Sequence, residues 1–166
     1  MSLVDLSNGR QMNPLDVVER VAAVRGWPFE RAADDEITIS IDGRWSDYHA
    51  SFTWMDEIEA LHLACAFDLK VPESRRAEVR QLVSQVNEQL WVGHFDLWPK
   101  EGVVMHRHGL LLIGGAQPSG PQCAALLDNA LSTCERYYQA FQFVLWAGKG
   151  AKEALESATF ETKGEA

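Results

Sequence analysis

LVSQVNEQLWVGHFDLWPKEGVVMHRHGLLL, residues 82–112, is the stretch whose reading decides the fold. Its first part ends an amphipathic helix: Leu82, Val83, Val86 and Leu90 fall 3, 4, 7 and 11 positions beyond Val79 and share one side. Gly93 supplies the stop, because glycine enters the left-handed conformation without steric cost. The period then changes to 2. Phe95 and Leu97 alternate with His94, Asp96 and Trp98, Pro99 to Gly102 turns the chain, and residues 103–113 return as a second strand. A helix leads directly into an antiparallel hairpin.

The same two periods organise the chain on either side. Asn13-Pro14 caps and opens a first helix carrying Leu15, Val18 and Ala22, widened by Val17, Val21 and Val24 and stopped at Gly26. Strands follow: Ile37, Ile39 and Ile41 alternate with Thr38, Ser40 and Asp42, and Tyr48, Ala50, Phe52 and Trp54 alternate with His49, Ser51 and Thr53. Leu61, Leu63, Cys65, Phe67 and Leu69 line a third, and residues 29–33 suit a short leading strand across the acidic turn Asp34-Asp35-Glu36. Pro72-Glu73 opens the second helix. After the Gly/Pro/Ser loop at 114–120, a last helix runs to about residue 147, where Leu127, Leu131, Cys134, Tyr138, Phe141 and Leu145 make a heptad-like seam.

The order is α-β(3)-α-β(2)-α, with a fourth strand possible in the first run. This predicts an α+β two-layer sandwich, an antiparallel sheet of about five strands with helices on one face. Residues 13–150 read as a single domain, residues 1–12 as a disordered segment and residues 151–166 as a polar tail.

Composition excludes several function classes. With a formal charge of −9 and its basic residues dispersed (Arg75, Arg76 and Arg80 are the densest group, beside Glu73 and Glu78), the chain is unsuited to nucleic acid. An acidic surface suits solubility and basic client segments instead. No run approaches the roughly 18 apolar residues of a membrane span, and the N-terminus lacks a signal-peptide pattern. Cys65, Cys123 and Cys134 are odd in number and sit in apolar patterns, which suits buried free thiols in a reducing cytoplasm.

The layout and its residues resemble the YbjN family, described as bacterial sensory transduction regulators and sharing its fold with the type III secretion chaperones. The resemblance rests on Asn87, Leu90, Gly93 and Phe95, then Leu97, the Gly102 turn and a hydrophobic strand reaching Arg107. It continues in Tyr137-Tyr138 and in Lys152-Glu153-Ala154-Leu155, and covers about residues 13–155. Where many members carry a proline after the aromatic pair this chain has Gln139-Ala140, so a straighter last helix is expected. The resemblance implies a non-enzymatic, dimeric, cytoplasmic protein that binds another protein and needs no cofactor.

Chemistry-bearing candidates are few. His106 and His108, two apart on a strand, point the same way and suit a metal with His94 or Asp96 as a third ligand, but Arg107 between them favours solvent-facing polar positions. Asp34-Asp35-Glu36 and Asp56-Glu57 fall at turns, and GGAQPSGPQ lacks the Lys-Ser/Thr ending of a phosphate loop. Asn87, beside the helix stripe, reads as an amide satisfying backbone groups where helix meets sheet. Trp45, Trp54, Trp91 and Trp98 fall near strand or helix ends, often out of phase with the core stripe, and are the candidate partner-binding residues. The reading is a protein-binding module without metal or cofactor, dimeric through the second helix or the last helix's seam, which takes client segments by strand addition or aliphatic pockets. The alternative is a metal- or small-molecule-dependent enzyme using His106, His108 and nearby carboxylates.

Overall fold

A computed structural model describes residues 12–164. The segment read as disordered lies outside the described residues except for Met12. Helix α1, Pro14–Val24, begins where the Asn13 side chain accepts from the Leu15 amide, and Pro14 occupies the first helical position, where no amide hydrogen is needed. Four strands follow: β1 Phe29–Ala33, β2 Glu36–Asp42, β3 Asp47–Met55 and β4 Ala60–Lys70. Helix α2 is Arg76–Asn87, β5 His94–Trp98, β6 Val103–Leu111 and α3 Gly120–Trp146.

All the pairing is antiparallel, in the order β1-β2-β3-β4-β6-β5. The sheet has six strands rather than about five, because β1 does pair, matching Phe29 with Ile39 and Arg31 with Ile37. The period-2 pattern places Ile37, Ile39, Tyr48, Phe52, Leu61, Leu63, Cys65 and Phe67 on one buried face, against the helices. The opposite face carries Thr38 and Ser51, whose hydroxyls meet at 3.1 Å, and charged or small side chains. The expected two-layer α+β sandwich is the observed one.

Two expectations change. Residues 151–166, read as a polar tail, contain a helix: α4, Ala151–Gly164. Ala151, Ala154 and Ala158 are buried against the other helices, and the Ala151 amide donates to Glu78 at 3.2 Å. Small residues at i, i+3 and i+7 let a polar helix lie close to its neighbours, a weaker signal than a stripe of large side chains. Secondly, most of the α3 seam is internal. Leu127, Cys134, Tyr138 and Phe141 are buried in the chain's own core, as are Val79, Leu82 and Val86 of α2, while Leu131 and Leu145 of α3 and Val83 and Leu90 of the α2 stripe are only partly buried. Helix α3 runs unbroken through Gln139-Ala140, as the absence of proline there requires.

The core is centred on Phe67, whose ring lies 5.3–6.0 Å from those of Tyr48, Phe95, Tyr138 and Phe141. Aromatic edges and faces from β3, β5 and α3 meet at this one side chain of β4. Phe67→Ala therefore leaves a void that several elements share, and its expected cost is about 3–5 kcal/mol. Urea unfolding of the two proteins measures it.

Candidate functional site: the β5–β6 hairpin and its groove

Helix α2 ends against the edge of the sheet. Asn87 Nδ2 donates to the Phe95 carbonyl at 3.0 Å, and the Phe95 amide donates to Asn87 Oδ1 at 2.8 Å. The amide side chain thus acts as the missing neighbour strand of β5, the structural role expected of it. Gly93 then turns the chain at φ 70°, and a Cβ there would lie 2.4 Å from His106 Cε1. Glycine is required at 93 both for conformation and for space.

His106 and His108 are not solvent-facing. Opposite Cys65 and Leu63 respectively, they point to the helix side of the sheet, and His106 is completely buried, with its ring edge-on to Phe95 at 5.3 Å. Arg107 points the other way, donating to Asp96 at 3.1 Å and to His62 at 3.2 Å. His94 and Asp96 share that outer face, so the candidate ligands of the sequence reading are split across the two sides of the sheet. Among the described residues no three His, Cys, Asp or Glu side chains are grouped to hold a metal.

The remaining candidates are occupied structurally. Asp56 accepts from the Trp54 indole at 3.3 Å, and the Gly114 and Gly115 amides donate to the carboxylate of Glu59 at 3.4 and 3.3 Å. The glycine pair holds the chain's own carboxylate. All three cysteines are buried and free, and burial pushes the Cys123 thiol up to about 11, far from a reactive thiolate.

Beside the hairpin runs a groove between β6 and α3. One reach, about 310 Å³, is lined by Val92, Leu110, Ala125 and Leu126, with His108, Gln122 and Asn129. It shares Val92 and Asn129 with a second reach of about 390 Å³ carrying Gln89, Leu90, Trp91, Ser132, Thr133, Arg136 and Tyr137. No acidic side chain among the described residues lines either. His108 Nδ1 and Asn129 Nδ2 are buried without a hydrogen-bond partner among the described residues. A second apolar hollow, about 520 Å³, lies between Val17, Val21 and Val24 of α1 and Pro121 and Ala124 of α3; its cations are engaged, Arg25 by Asp128 and Arg20 by the Asp16 carbonyl.

The four tryptophans part company. Trp91 is fully exposed on the groove rim, and Trp98, 42% exposed, sits at the far end of β5 on the outer face. Trp45 is half-buried under Arg44, 4.6 Å from its ring, and Trp54 is 8% exposed, in the core. Trp54 cannot serve as a contact residue, since its alternation with Ala50 and Phe52 already placed it inward. Val92, Leu126 and Asn129 join the site unforeseen: only an asparagine between Leu126 and Ala130 hinted at a polar position on the buried side of α3.

Two predictions follow from these contacts. Asn87→Ala leaves the Phe95 amide and carbonyl unpaired, and thermal and urea unfolding are expected to show a loss of about 2–3 kcal/mol. Burial above all, with His108 and His94 adding to it, lowers the His106 pKa to about 4, while the Val92 backbone opposes the shift. The unfolded chain, at 6.5, takes up the proton first. Stability from neutral His106 is therefore complete above pH 6.5 and is lost as pH falls towards 4, by about 3 kcal/mol. Unfolding series across that window should show a shallower pH slope for His106→Leu than for the native protein.

No curated protein matches the sequence significantly. Among solved structures, that of YbjN from E. coli superposes with a TM-score of 0.54 at 11% identity, covering 89% of this chain and 93% of that one. The ExsC–ExsE complex gives a TM-score of 0.55 at 20% identity, over 74% of this chain and 88% of that one. The HopA1–SchA chaperone–effector complex is more distant, at 0.41 and 8%, over 80% and 98%. At these identities the likeness is one of fold. In sequence, the family YbjN, described as "Putative bacterial sensory transduction regulator", matches residues 14–143. That span runs from α1 through most of α3 and takes in the Asn87–Phe95 junction, and the chain belongs to the YbjN family.

Proposed function

We propose that this protein is a non-catalytic binding module that recognises a segment of a client protein, in a chaperone-like or regulatory role in the cytoplasm. The observation that carries the reading is Trp91. A fully exposed indole stands at the rim of a groove whose floor is apolar and whose walls hold two buried polar atoms without partners. Large exposed aromatics beside a concave surface are where protein interfaces concentrate their energy. The ExsC–ExsE complex, of similar fold, is a pair of bound proteins, which supports the same mode of action for this chain. Three buried free thiols suit a reducing compartment. No helix among the described residues is long and apolar enough to cross a membrane.

The enzymatic alternative has less behind it. His106 is sealed beneath Gly93, and Asp96, the carboxylate offered as a third ligand, is paired with Arg107 on the opposite face. Of the α2 and α3 stripes, a homodimer would have only the partly buried members, Val83, Leu90, Leu131 and Leu145, to use, and sedimentation measures it directly.

Trp91→Ala removes no packing, so its unfolding free energy is expected to stay within about 0.5 kcal/mol of the native value. Trp54→Ala, by contrast, is expected to cost about 3–5 kcal/mol and says nothing about binding. A photo-crosslinking amino acid at position 91, with one at the exposed position 146 as control, tests the function in cells. One dominant adduct from 91 alone supports the reading; identical adducts from both positions, or none from 91, overturn it.

A further inference from the structure

Among the described residues three stretches of sheet edge lack a neighbouring strand, and two of them are obstructed. On β5 the outward-facing amide and carbonyl of Phe95 are taken by Asn87. On β1 the ladder is bulged between Arg31 and Ala33, and Glu30 and Arg31 place charges along it, devices that discourage a further strand. The third is the second half of β6. Strand β5 pairs with β6 only as far as His94 opposite Arg107, because the left-handed Gly93 turns the chain away. Leu112 donates to the Glu59 carbonyl at 2.7 Å, on the β4 side. Strand alternation then directs the amides and carbonyls of Gly109 and Leu111 to the other side, where no described residue pairs with them. Both residues are exposed.

This open backbone runs along the groove. Leu110 and His108 face the helix side with Val92 and Leu126, while Leu111 and Ile113 lie exposed beyond the outer face, at 68% and 62%. A strand laid against Gly109 and Leu111 would place alternate side chains against apolar surface on both sides. Asn129 Nδ2 and His108 Nδ1, buried and partnerless, would gain partners from its polar groups. Charge narrows the occupant. In a chain of net charge −9 this groove has no acidic lining residue among the described residues, and its one full charge among them is Arg136, beyond Trp91. The overall charge suits basic client segments; the lining of this groove suits an acidic one.

We infer that the edge of β6 at Gly109 and Leu111 takes an extended, alternately apolar peptide strand from a client protein, with an acidic end towards Arg136. The inference rests on the protein-binding reading above and specifies its mode. Main-chain pairing supplies the affinity and the groove the selection among side chains.

The test uses the full chain and a panel of short fluorescein-labelled synthetic peptides with Val, Ile, Leu or Phe at alternate positions and aspartates at one end. Each has two partners, one with lysines in place of the aspartates and one with alternate backbone amides N-methylated. Anisotropy titrations are expected to find binders that weaken about tenfold or more on N-methylation, as the loss of main-chain hydrogen bonds requires. Arg136→Glu should invert the order of the aspartate and lysine peptides. Hydrogen exchange at Gly109 and Leu111, rapid in the free protein, should slow on binding. Three results overturn the inference. If no peptide binds, the edge is not a strand acceptor. If binding ignores N-methylation, the groove binds without strand pairing, and the binding-module reading survives alone. If the two amides are protected without peptide, increasingly so with protein concentration, a second copy occupies the edge.

Discussion

Asn87 spends its amide on the backbone of Phe95, and much of the molecule depends on that pair of hydrogen bonds. A helix terminus and a sheet edge both carry backbone groups needing partners, and burying either without them costs about 1–3 kcal/mol per group. Here one side chain serves the edge while anchoring the end of α2. The consequences run outward along the chain. The last turn of α2 is held close enough that the connection to β5 is short, Gly93 must turn in the left-handed region, and His106 fills the space a Cβ would need. Strand β5 starts no earlier than His94, which leaves the second half of β6 unpaired.

The one-sided sheet imposes its own constraint. Helices cover one face only, so every strand must alternate apolar and polar, and a strand that breaks the alternation puts a polar group into the core. Strand β6 does so at His106. Kept neutral by burial and by His108 and His94, the imidazole behaves as an aromatic, edge-on to Phe95 within the cluster around Phe67. A residue that reads as surface chemistry in the sequence is part of the core in the fold.

Family membership and the likenesses of fold agree with this architecture, but a shared fold carries no function by itself. What marks a site in this chain is the combination of Trp91, a groove without acidic lining among the described residues, and buried amide and imidazole nitrogens left without partners there. These are features of a surface that recognises something, and they lie where strand, helix and turn meet.

The sequence by itself determined the order of the main elements from α1 to α3, the antiparallel sheet, the helix-covered face and the role of Asn87, because periodicity and caps are local consequences of backbone geometry. Residues 29–33 and 151–164 were the harder cases, since a five-residue edge strand and a helix packing through alanines leave little hydrophobic contrast. Which side of the sheet His106 and His108 face was decided by their register with β4, since Arg107 between them suggested the wrong phase. The tryptophans show the same division. Trp54 follows its strand's alternation into the core, whereas the exposure of Trp91 depends on how α2 docks and where Gly93 turns. The groove is made by residues from the α2–β5 turn, β6 and α3, distant in sequence and adjacent only once the sheet has closed. Only the tertiary structure decides such sites, because no local pattern encodes a space between elements.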